Sequence, residues 1–279
     1  MVYRSRIVFA ILLLLSVLFV FHRADLSVAE TGLIKPGDKV GIQFTCRFPN
    51  GDIAASTSSA VAADSSLRKS AVYLPRPKDD PIEVTVGQSD GKKSFPVFFL
   101  DEIIARIAPS IAGMRLGETR TMEIHSERPA DIPEKEQFLE LSQVRQESKE
   151  VRMTKDEYKS RTGKDPEVGA DYKKDPLFPY KVTSVSENEV LIRSTLQPGT
   201  TIETGFGKGT VSEKGNQMEV VIEVAKGALI RMGPYVGRVS DIQHKMFTID
   251  FGDPFAGEKL SCDVRTETIP ENNLSKKEE

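Results

Sequence analysis

The chain has 279 residues, a net charge of −3 at pH 7 and 39% hydrophobic residues. That is enough apolar material to pack one large or two smaller domains. No basic patch stands out, which argues against nucleic acid as a partner.

Residues 7–21 form a continuous apolar run behind Arg4 and Arg6. Its length is at the upper end for a signal sequence and short of a membrane span of ~20 residues. Ser27-Val28-Ala29 offers a small-x-small cleavage site. Residues 1–29 therefore read as a signal peptide or as an N-terminal membrane anchor. Both alternatives place the rest of the chain outside the cytoplasm, in the periplasm or cell envelope. Cys46 and Cys262 then meet an oxidising compartment, where they either form a bridge or stay as buried thiols.

Residues 35–57 read as a hairpin. Pro36-Gly37-Asp38 is a turn, and Val40, Ile42, Phe44, Cys46 and Phe48 alternate with polar residues. Pro49-Asn50-Gly51-Asp52 turns the chain back. Residues 58–80, rich in Ala, Ser, Pro and Asp, read as a surface loop, and 81–87 as another strand. From Pro96 to Ala112, Leu100, Ile103, Ile104, Ile107 and Ile111 follow a helical period, with Pro109 expected to break it near its end. Gly113-Met114 closes the run. Gly117-Glu118 then turns it into a strand with Met122 and Ile124 apolar.

Beyond residue 126 charges and prolines increase. Residues 134–150 read as a weak amphipathic helix or a linker, and 153–172 as turn-rich. Short strands separated by Gly and Asn turns follow from Tyr180. Residues 179–194 echo 234–250: each runs Pro-Tyr, strand, polar turn, strand. The echo is either a duplicated β unit or the general likeness of hairpins. His22, His125 and His244 stand singly, without metal-ligand spacing. Gly205-x-Gly207-x-Gly209 lacks the strand–helix context of a phosphate loop and reads as a β turn. No cofactor and no metal are expected.

The stretch "IAGMRLGETRTMEI" (111–124) resembles the helix-to-sheet joint of FKBP-type peptidyl-prolyl isomerases. "IDFGDPFAGEKLSCDV" (249–264) resembles the returning strand of their SlyD-like branch, with Asp253 where the family has His. The resemblance implies an α+β fold, with a curved antiparallel sheet around a short helix, interrupted by a mainly β insert. Residues 33–130 and 246–268 would form the discontinuous domain, and 131–245 the insert, holding two related β units if the echo is a duplication. Residues 269–279 would be a polar tail.

The implied activity is rotation of X-Pro bonds and assistance to folding in the envelope. That chemistry needs an apolar cup rather than a nucleophile. Carried over, the cup is Phe44, Ile82, Ile103, Ile104 and Ile107, for each of which ordinary core packing is the alternative. Ala55, Ala130 and Cys262 stand where the family has an acidic residue, a Tyr and a Phe. These departures open a second reading, a non-catalytic chaperone or protein-binding module. The implied partners are unfolded or proline-containing polypeptides, with membrane anchorage through the N-terminus in the anchor alternative.

Overall fold

Strict alternation makes β1 (Lys39–Arg47) a strand whose Val40, Ile42, Phe44 and Cys46 are buried. In the computed structural model, which describes residues 32–76, 79–88 and 95–269, β1 is the centre of a five-stranded antiparallel sheet. β2 (Ile53–Ser56) and β3 (Ile82–Thr85) pair with different halves of one side of β1. β17 (Lys259–Glu267) covers the other side, and β4 (Thr119–His125) lies beyond it. The register sets Cys46 opposite Cys262, and the two form a disulfide. Of the two alternatives for the cysteines, the bridge is the one present.

A short helix, α1 (Ser59–Ala63), is N-capped by Ser58 and sits in the loop expected over 58–80. The helix read over 96–112 is α2 (Phe99–Ser110). Pro109 removes a ladder donor in its last turn, and the helix ends one residue later. Phe99, Ile103 and Ile107 share a core with Ile42, Phe44, Leu260 and Val264.

The middle of the chain forms three four-stranded antiparallel sheets that repeat one plan. Each has a three-strand meander with a fourth strand added beside the last one. The meanders are β8 (Asp171–Asp175), β9 (Phe178–Val185), β10 (Val190–Ser194); β11 (Thr201–Thr204), β12 (Gly207–Lys214), β13 (Gln217–Glu223); and β14 (Leu229–Met232), β15 (Tyr235–Gln243), β16 (Met246–Asp250). The fourth strands come from one ribbon, as β5 (Phe138–Ser142), β6 (Val144–Ser148) and β7 (Glu150–Met153). β5 joins the third meander, β6 the second and β7 the first.

The residues between these strands serve two sheets at once. Gln143 N–H donates to Lys245 in the third unit, while its carbonyl accepts from Ile222 in the second. Lys149 N–H donates to Asn216 in the second unit, and its carbonyl accepts from Ser194 in the first. A single extended ribbon thus stitches three units into an array. A further helix, α3 (Lys155–Thr162), leads from the ribbon into the first unit.

One turn recurs at the entrance of five strands. In 35–38, 115–118, 167–170, 197–200 and 225–228 the fourth N–H donates to the first carbonyl. The third residue is always Gly at positive φ. Its N–H donates to the carbonyl of a buried residue on another segment, namely Val86, Thr266, Val182, Val211 or Val239. That residue's own N–H returns to the carbonyl after the Gly. The reciprocal pair fixes where each strand starts.

The expected α+β FKBP-like class is corrected. Among the described residues strand accounts for 46% and helix for 13%, with the strands in four antiparallel sheets. The architecture is therefore mainly β, not a helix packed on one sheet. The cause lies in 126–250, which builds three of the four sheets. The helix or linker read over 134–150 is a 3₁₀ turn (Glu134–Gln137) followed by β5 and β6, with β7 beginning at its end. The echo falls on the hairpins of the first and third units; β12–β13 has the same place in the second. The apolar run at 7–21 and the tail beyond 269 lie outside the described residues. Among the described residues no helix is long and apolar enough to cross a membrane.

Candidate functional site

The five residues expected to wall a cup divide into two groups. Phe44 (3% exposed), Ile103 and Ile107 (both 0%) are embedded in the core between the first sheet and α2. Ile82 and Ile104 are half-buried at its margin. The alternation that marks Phe44 as inward-facing, and the helical period that marks Ile103 and Ile107, are core signals, and the structure uses them so. Ala55 lies opposite Cys46 across β1–β2, in the same core.

A more open apolar surface lies where the array meets the first sheet. The β14–β15 hairpin makes this joint, because its two faces go to different cores. Ile230 and Met232 face the core of the third unit, whereas Leu229 and Val236 join the core of the first sheet. Arg231 pairs with Val236 across the hairpin, and its Nη1 donates to the carbonyl of Val72. The N–H of Phe99 donates to the carbonyl of Pro234 at 3.0 Å, tying the start of α2 to the hairpin turn. Phe99 meets Phe255 edge-on at 5.8 Å.

Phe98 cannot follow Phe99 inward, being one residue earlier at the helix N-cap. Its ring turns outward onto Tyr235, with centroids 5.3 Å apart, and remains 40% exposed. Leu74, two residues beyond Val72 on the neighbouring loop, is 59% exposed. Burial pushes the Arg231 guanidinium below its ordinary pKa and the Tyr73 phenol above its own. The joint thus holds an exposed aromatic pair on a hairpin whose Arg231 is partly desolvated and reaches the loop that carries Leu74. Exposed aromatic side chains of this kind offer rigid contact area.

Sequence reasoning missed Phe98, Tyr235 and Arg231 as a group. The one available signal was the Phe98-Phe99 pair at a helix start, where only one ring can face inward.

A second recess lies in the first unit, lined by Glu147, Arg161, Tyr172, Asp175, Phe178 and Tyr180 among others. Arg161 Nη1 donates to Tyr172 Oη at 3.3 Å, and Arg145 pairs with Asp175 at 2.9 Å. At about 40 Å³ it holds water but not a proline ring. Among the described residues no group of three or more His, Cys, Asp or Glu is placed to hold a metal ion.

No family model matches this chain, and no curated protein matches it.

Proposed function

We propose that this protein is an exported, non-catalytic polypeptide-binding module that assists folding in the cell envelope. The observation that carries the reading is the Phe98–Tyr235 pair, an exposed aromatic contact at the junction of two sheets, with Leu74 on the adjoining loop. Rigid aromatic side chains at such junctions supply contact area at little entropic cost on binding. The disulfide between Cys46 and Cys262 supports an oxidising compartment. The isomerase reading has less support, because three of the five expected wall residues are buried in the core and offer no surface to a proline ring.

Two assays on the purified protein separate these readings. Suppression of aggregation of an unfolding client is expected, and Phe98→Ser should weaken it while leaving the melting temperature nearly unchanged. A proline-peptide isomerisation assay should give the uncatalysed rate. Measurable acceleration would restore the enzymatic reading, and absence of suppression by the wild-type chain would remove the binding one.

A further inference from the structure

We infer that the outer edge of β4 pairs with the β4 of a second copy of this chain, joining two five-stranded sheets into one. The interface is independent of the polypeptide-binding surface proposed above. β4 is the last strand of its sheet, and no strand lies beyond it among the described residues. The parity of the ladders decides which of its backbone groups are free. Thr266 of β17 bonds towards β4, at Gly117 and Glu118. Phe44 of β1 bonds away from β17, to Thr57. The register is unbroken on both sides of β17, so Arg120, Met122 and Ile124 carry the bonds from β4 to it. The N–H and C=O groups of Thr119, Thr121, Glu123 and His125 point the other way. None of them has a hydrogen-bond partner among the described residues, and all four residues are exposed.

Other edges of the molecule are guarded. At the opposite edge of the same sheet, Ile53 of β2 exchanges hydrogen bonds with Arg68 and Ser70. On the ribbon, Ser142 Oγ bonds both the N–H and the carbonyl of Val144, and Tyr180 Oη holds the carbonyl of Ser148. An open edge of seven residues without such cover is a template for another strand.

The sequence of β4 fits a copy of itself. Laid antiparallel about a two-fold axis through Met122, two copies pair over all of Thr119–His125. Thr121 then faces Glu123, Thr119 faces His125 and Arg120 faces Ile124, so no like charges stand directly opposite. The neighbouring symmetric registers set Glu123 against Glu123 or leave His125 unpaired. Met122, half-buried against the first core, meets its counterpart and continues that core across the axis.

The test is position-specific cross-linking of the purified full chain. On the axis the two Met122 Cα atoms lie about 4.5 Å apart, within reach of a disulfide. Met122→Cys should give a covalent dimer on a non-reducing gel, reversed by reductant. Arg120→Cys, on the same face but away from its counterpart, should not. Thr121→Pro removes an outward N–H and leaves the ladder to β17 intact. In sedimentation equilibrium it should weaken the dimer at least about tenfold, since the bond is lost twice. Thr121→Val, which keeps the N–H, should not weaken it, and thermal melting checks the fold of each variant.

A monomeric wild-type chain, equal cross-linking at positions 120 and 122, or a dimer indifferent to Thr121→Pro would overturn the interface. Hydrogen exchange at the Thr121 and Glu123 amides should slow as protein concentration rises. Protection independent of concentration would give the edge to another segment of the same chain and overturn the assignment. Protection only on adding an unfolded client would give it to the client, with the same result.

Discussion

Ile107 and Ile104 lie on the same helix, yet a change at each should read differently. Ile107 has no exposed surface and sits in the first core, so Ile107→Ala should destabilise the protein by about 2–5 kcal/mol in chemical denaturation. Ile104 is half-buried at the margin, and Ile104→Ser should cost markedly less. Tyr180 ties stability to pH at the alkaline end. Its hydroxyl donates to the carbonyl of Ser148 at 2.7 Å, and burial, aided by Glu147 and Asp175, pushes its pKa up to about 12. The folded state therefore holds the phenol proton more tightly than the unfolded chain does. Its contribution is complete below pH ~10 and is lost as pH rises towards ~12, about 2 kcal/mol in all. Urea titrations across that window should show the decline, and Tyr180→Phe should flatten it.

At the scale of elements, the recurring turn makes a prediction about glycine. Gly227 has a φ of 84° and open space where a Cβ would stand. Gly227→Ala should therefore cost only the backbone strain, about 1 kcal/mol. Gly237 is the opposite case, because a Cβ would lie 2.7 Å from the carbonyl oxygen of Asp250 and 2.8 Å from Ile249. Gly237→Ala should cost more, about 1–3 kcal/mol, by forcing β15 and β16 apart. Thermal melts of the two variants give the comparison.

Elements buried on one face were legible in the sequence. β1 and α2 announce themselves by the alternation of Val40 to Cys46 and the period of Ile103, Ile107 and Ile111. The ribbon 138–153 was not, since each of its strands is the outermost in its sheet and most of its residues are only half-buried. Pairing, not residue pattern, decides its conformation. α3 was missed for a related reason. Thr154 caps Glu157 N–H and Gly163 closes the helix at positive φ, signals present in the sequence. With Tyr158 as its single buried residue, no apolar period supported them. The joint around Phe98 depends on a hairpin more than a hundred residues away in the chain, and local pattern carries no trace of it.

For the molecule as a whole, the disulfide joins segments 216 positions apart, in strands that pair along their length. Replacing both cysteines by alanine should lower stability by about 2–5 kcal/mol, measured by denaturation without reductant. The same bond makes everything between the two cysteines a covalent ring. A protease that nicks an exposed turn of the array, such as Gly215-Asn216, opens the ring without dividing the molecule. On a denaturing gel the nicked product should migrate as one species until reductant is added, and then as two. In an environment rich in proteases, such a molecule can be cut once and still keep both ends of its first sheet in register.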